Sequence, residues 1–202
     1  MSVATKNQAG SRVFNVPNQL TASRLVLAIV LFVLIAFEQY QAGMVVFIVA
    51  AGTDWLDGYW ARKYGQVTTL GRILDPFVDK IIICGTFIFL VKLPTSGVEA
   101  WMAVVVVGRE LLVTALRGYL EQQGADFSAS LSGKLKMVLQ CTAAAVSLLR
   151  LSYGAGPSSP PPPEWLAWTL PVAVWAAVVL TVYSGVAYIF AAVRLLRSET
   201  HN

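Results

Sequence analysis

Six apolar stretches, at residues 20–37, 44–60, 70–93, 98–120, 131–151 and 165–193, take up most of this 202-residue chain. Each is near or above the roughly 20 residues that a helix needs to cross a bilayer. The polar segments between them are too short to build a soluble domain. The composition agrees, with 56% of residues hydrophobic and 13% charged, against roughly 45–50% and about 25% in an ordinary soluble domain. A disordered chain, a coiled coil and a disulfide scaffold fail on the same numbers. The predicted fold is therefore an all-α integral membrane protein with six transmembrane helices in one domain, residues 13–197. Residues 1–12 are expected to form a flexible cytoplasmic N-terminus and 198–202 a C-terminal tail. Residues 13–19, which include Pro17, are expected to lie along the membrane surface as a short N-terminal segment. The run GAGPSSPPPP at 154–163 cannot be helical and reads as a stiff extended loop. Pro171 is placed to kink the long last helix.

The net charge is +4, carried by basic residues scattered between apolar runs rather than gathered in a patch for nucleic acid. An N-terminus on the inside places all but Lys92 and Arg150 of the 15 lysines and arginines towards the cytoplasm, Arg24 and Lys80 among them. This is the positive-inside bias, and it puts both termini in the cytoplasm. Cys84 and Cys141 lie in apolar runs and read as packing residues. His201, the sole histidine, sits in the tail, so neither histidine catalysis nor a zinc site is expected.

The acidic residues are more informative. Asp54, Asp57, Asp75, Asp79 and Glu110 fall in or at the ends of apolar segments, where a carboxylate near mid-membrane costs roughly 2.5–3.5 kcal/mol. Asp54 and Asp57 are three residues apart, and Asp75 and Asp79 four, so each pair shares a helical face. A short connection at 63–69 predicts an antiparallel hairpin that brings both pairs into one pocket open to the cytoplasm. Four clustered carboxylates repel unless a cation joins them, and all-oxygen ligation suits Mg²⁺ or Mn²⁺. Gly58, Ala61 and Gly71 lie on the same faces. They suit close helix packing and equally leave room for a nucleotide or a diphosphate. A divalent-cation transporter would also place carboxylates in the membrane, but the outer ends of the spans show no acidic path. An aspartate-rich prenyltransferase would also use metal-bound diphosphate.

Read together, residues 53–80, TDWLDGYWARKYGQVTTLGRILDPFVDK, follow D-x2-D-G-x2-A-R-x8-G-x3-D-x3-D without a departure. This resembles the signature of the CDP-alcohol phosphatidyltransferases. NVPNQLTASR at 15–24, GRELLVTALRGYLEQQG at 108–124 and SGKLKMVLQ at 132–140 are similar to the first, fourth and fifth helices of the bacterial phosphatidylglycerophosphate synthases within that family. The resemblance covers roughly residues 13–142 and leaves the proline-rich loop and last helix unmatched. It implies a homodimer in the bacterial inner membrane with a cytoplasm-facing site holding two divalent cations, Mg²⁺ or Mn²⁺. The implied reaction is CDP-diacylglycerol plus glycerol 3-phosphate giving phosphatidylglycerophosphate plus CMP, in a membrane-lipid environment.

The resemblance assigns metal ligation to Asp54, Asp57 and Asp75, with Asp79 as ligand or general base. By the same analogy, cytidine and diphosphate recognition fall to Gly58, Ala61, Gly71 and Asp57, with Thr53, Arg62 and Asn18 as further candidates. Asn18 equally suits helix capping, and Arg62 anchoring. A dianionic acceptor needs a basic site, for which Arg109, Arg117, Lys134 and Lys136 are the candidates; Arg117, Lys134 and Lys136 also suit anchoring at the cytoplasmic face. Glu110 can orient one of these cations or serve structure. Relatives making cardiolipin, inositol-phosphate or serine-linked lipids share the aspartate motif, and only the flanking segments favour glycerol phosphate.

Overall fold

The computed structural model describes residues 16–64, 69–122, 131–154 and 161–199; within these, the side chains at 16–18, 20, 54–64, 69–73, 75, 121–122, 131–134 and 196–199 lie outside the description. The described residues form six α-helices: α1 (Val16–Ala36), α2 (Tyr40–Tyr64), α3 (Thr69–Val91), α4 (Ala100–Gln122), α5 (Leu131–Ser152) and α6 (Glu164–Glu199). Each predicted apolar run lies within one helix or overruns its end by a residue or two. The packing neighbours run α1, α2, α5, α6, α4, α3 and back to α1, closing a ring, with α3 also touching α5 and α2.

Three boundaries differ from expectation. Val16–Gln19 is the first turn of α1 rather than a separate surface segment. Pro17 is tolerated there because the first turn leaves its N–H positions unpaired in any case. The rest of that predicted segment, 13–15, lies outside the described residues. α2 starts at Tyr40, four residues before its apolar run, after a turn in which Glu38 adopts φ 60°. The helix α6 continues past its apolar run through Arg194 and is one assigned helix through Pro171. Of the proline-rich loop, 161–163 are non-helical and 155–160 lie outside the described residues.

Among the described residues two stretches, against the six expected, are long and apolar enough to cross a membrane, Leu135–Ser152 and Glu164–Leu195; Thr21–Ala36 and Tyr40–Thr53 are shorter apolar stretches. Charges interrupt the remaining helices: Asp79 and Lys80 in α3, and Arg109, Glu110 and Arg117 in α4. The bundle is apolar outside as well as inside. Trp168, Phe37, Val104 and Phe190 are each more than 60% exposed, while Arg24, Glu110, Lys136 and Gln140 are buried. Helix threonines satisfy their hydroxyls on their own preceding turn, as Thr86 does on the Ile82 carbonyl at 2.6 Å and Thr181 on Ala177 at 2.6 Å.

Small residues set the closest approaches. Ala28, Ala50, Ala143, Ala144 and Ala177 are fully buried in the core. A Cβ on Gly85 of α3 would overlap the ring of Phe32 on α1. That ring cannot swing aside freely, because it stacks on Phe89 at 5.2 Å between centroids and 5° between planes. Gly85→Ala is expected to cost about 1–3 kcal/mol by overpacking, read as a lower melting temperature in detergent. The α3–α4 connection is a 3₁₀ turn, Pro94–Ser96. Buried Ser96 ties it down, donating to the Leu90 carbonyl at 2.8 Å and accepting from the Val98 N–H at 3.1 Å. Gly97 follows at φ 73° with Leu170 against it, a left-handed position that favours glycine.

Candidate active site

The α3–α4 hairpin sets depth. Lys80 lies eleven residues before the end of α3 and Glu110 ten residues after the start of α4. At 1.5 Å per residue both sit roughly 15–17 Å from the connecting turn, so the two side chains stand level. α5 adds Lys136, Met137 and Gln140 at the same place. With Asp79, Lys80, Ile83 and Glu110 they line a cavity of about 140 Å³, room for several waters or a small anion.

The polar wall of this cavity is cross-braced between helices. One oxygen of Glu110, Oε1, accepts from Lys136 Nζ on α5 and from Arg109 on α4, the latter at 3.2 Å. All three side chains are at least nine-tenths buried. The Arg109 guanidinium also lies over the Tyr188 ring of α6, 5.6 Å from its centroid, a cation–π contact. Gly185 makes this possible, since a Cβ there would stand 3.1 Å from Arg109 Cγ. Gln140 donates to Thr181 Oγ1 at 2.9 Å and joins α5 to α6 below the cavity. A carboxylate shared by two buried cations leaves the group with net positive charge in apolar surroundings. Such a group suits an anion.

On the other side of the cavity, Asp79 forms an ion pair with Arg24 of α1. Arg24 is 2% exposed and Asp79 29%, so the carboxylate keeps an open side while the arginine is sealed in the bundle. Arg24, counted among the basic residues on the cytoplasmic side, has its charge met by a carboxylate, which is what a buried arginine requires.

Of the other predicted site residues, Thr53 on α2 donates its hydroxyl to the Val49 carbonyl at 2.6 Å. Arg117 lies two turns beyond Glu110 on α4. Asn18 falls in the first turn of α1, Asp54, Asp57, Gly58, Ala61 and Arg62 in α2, Gly71 and Asp75 in α3, and Lys134 in α5; their side chains lie outside the described residues. Among the described residues no three acidic, histidine or cysteine groups gather as a metal cluster. Helix positions still test whether a cation fits. Asp75 and Asp79 are one turn apart on α3, Asp54 and Asp57 share a face of α2, and α2 packs on α3. Asp79 presents a partly open carboxylate to the cavity, and the donor set is all oxygen, which suits a hard divalent cation.

Sequence reasoning missed Arg24, Lys80 and Gln140, and left Glu110 undecided. A buried-polar signal existed for each, since all four interrupt apolar runs, but their partners lie on other helices.

The profile of the family described as CDP-alcohol phosphatidyltransferase matches residues 14–196. The chain is 34% identical to the CDP-diacylglycerol–glycerol-3-phosphate 3-phosphatidyltransferase of Bacillus subtilis (strain 168), over 87% of this chain and 93% of that protein. It is 33% identical to the protein of the same description from Rickettsia prowazekii (strain Madrid E), over 86% and 93%. The match to that of Escherichia coli (strain K12) is 30% identical, over 89% and 95%.

Proposed function

The chain belongs to the CDP-alcohol phosphatidyltransferase family, and from that premise we propose that it transfers a phosphatidyl group from CDP-diacylglycerol to glycerol 3-phosphate, releasing CMP. Membership carries the coarser statement, a transferase of this reaction type in phospholipid biosynthesis. The acceptor is favoured by one observation: the cavity beside Asp79 is walled by Lys80, Glu110 and Lys136, with Arg109 braced on the same glutamate. A phosphorylated alcohol has an anionic end for such a wall and a hydroxyl end for Asp79.

In this reading Asp54, Asp57, Asp75 and Asp79 hold two divalent cations, Mg²⁺ or Mn²⁺. When bound, these supply charge neutralisation for the diphosphate and Lewis-acid polarisation of the attacked phosphoryl group. The protein's own groups do the rest. Lys136 and Arg109, with Arg117 and Lys134 as further cations, bind the acceptor phosphate. Asp79 takes the proton from the acceptor hydroxyl as its oxygen forms a bond to the lipid-bearing phosphorus. The bond from that phosphorus to CMP breaks, and CMP leaves with the electron pair. Arg24 holds the Asp79 carboxylate in place through the step. Gly58, Ala61 and Gly71 leave room for the cytidine, with Asn18, Thr53, Asp57 and Arg62 as its polar contacts. No covalent phosphatidyl-enzyme forms, and trapping one from CDP-diacylglycerol alone would refute this.

The protein is placed in the bacterial inner membrane as a homodimer of six-span subunits, with both termini and the site facing the cytoplasm. The exposed apolar side chains and the two membrane-length helices support the membrane location. Purified protein in detergent is expected to release CMP from CDP-diacylglycerol when glycerol 3-phosphate is the acceptor. Chelation with EDTA should remove the activity, and Mg²⁺ or Mn²⁺ should restore it. Release only with inositol phosphate or phosphatidylglycerol would overturn the acceptor and keep the reaction class.

A further inference from the structure

Resting on the acceptor reading above, we infer that Lys80 is a direct ligand of the acceptor's phosphate, and so a specificity-determining residue for phosphorylated alcohols. Its place immediately after the motif's last aspartate suggests nothing beyond one more positive charge, but its surroundings in the middle of α3 do. Lys80 lines the cavity together with Lys136 and Glu110. The carboxylates of that wall are already engaged: Glu110 by Lys136 and Arg109, and Asp79 by Arg24. Among the described residues Lys80 has no carboxylate partner. Its ammonium donates instead to a carbonyl of its own helix, Pro76 O, at 3.0 Å.

Among the described residues this half-buried ammonium sits on a neutral carbonyl, while the nearby Glu110 carboxylate is shared by Lys136 and Arg109. Lysine is also a mobile point charge with three donors, so it can leave that carbonyl for an incoming oxyanion at little cost. The charge count gives the ligand class. Among the described residues Lys80, Lys136 and Arg109 stand against Glu110, and Arg24 is matched by Asp79; this excess of positive charge suits a phosphate monoester. Lys80 and Asp79 line the same small cavity, so a phosphate held by Lys80 is within reach of the molecule whose hydroxyl meets Asp79.

The test compares wild type, Lys80→Met and Lys80→Arg as full-length protein in detergent, with two readouts. Steady-state CMP release is measured against glycerol 3-phosphate and, separately, against CDP-diacylglycerol. Thermal unfolding is followed with and without inorganic phosphate. Loss of a charge-assisted hydrogen bond predicts a KM for glycerol 3-phosphate raised about 10- to 100-fold in Lys80→Met. The KM for CDP-diacylglycerol should stay within about twofold of wild type on the same grounds, since that bond is made only to the acceptor. Lys80→Arg should recover most of the loss, and phosphate should raise the melting temperature of wild type but not of Lys80→Met. An unchanged acceptor KM in Lys80→Met overturns the assignment, as does a fall in kcat alone with a lowered ligand-free melting temperature. If wild type releases no CMP with glycerol 3-phosphate, the acceptor reading fails. The phosphate shift then decides Lys80 alone: its loss in Lys80→Met upholds Lys80 as part of an anion site, and its persistence removes Lys80 from that site.

Discussion

Asparagine at position 79 is expected to cut CMP release by roughly 10²- to 10⁴-fold, the range lost with a general base. The side chain keeps its shape and loses both the proton-accepting oxygen and the negative charge. The second loss complicates the first, because Arg24 is then buried without a counter-charge and the bundle is destabilised. A double variant separates the two effects. Arg24→Gln together with Asp79→Asn puts a neutral amide pair where the ion pair stood, so thermal stability should recover while activity does not. A double variant that is stable and active would remove Asp79 from the chemistry.

The largest expected loss of stability belongs to Glu110→Leu, about 3–5 kcal/mol. Lys136 and Arg109 both donate to this carboxylate from buried positions, and leucine strands two cations in an apolar interior. Glu110→Gln keeps an acceptor oxygen and should cost less. Adding Lys136→Met to Glu110→Leu removes one stranded charge and should restore part of the loss. Thermal unfolding of the four proteins in one detergent gives the order directly. If Glu110→Leu melts with wild type, the carboxylate does not brace α4 against α5.

The helices were legible because a bilayer-length apolar run is a strong signal that survives polar residues within it. Their exact ends were not. Gln41 and Gly43 interrupt the apolar signal, yet α2 extends back through them to Tyr40. The turn before it rests on Glu38 at positive φ, where neither glycine nor proline marks the break. The aspartate motif was legible for a related reason: its spacing lies within two consecutive helices and needs only the helical period. Arg24, Lys80 and Gln140 are different. Each finds its setting through the ring order that puts α1 beside α3 and α5 beside α6, and no spacing along the chain encodes that order. Counting basic residues by side of the membrane says nothing of their partners, and here Arg24 is sealed in the bundle while Lys80 faces a cavity.

Synthesis order gives the Arg24–Asp79 pair a further meaning. The arginine is made first, and its counter-charge follows 55 residues later. At about 5–20 residues per second, translation needs on the order of 3–11 s to reach it. Arg24 is 2% exposed in the finished bundle, and burying a charge without its partner costs several kcal/mol, so over that interval the arginine is expected to stay hydrated. The first helix to emerge therefore cannot be the first to settle. The full burial of Arg24 is expected only once α3 has arrived to supply Asp79.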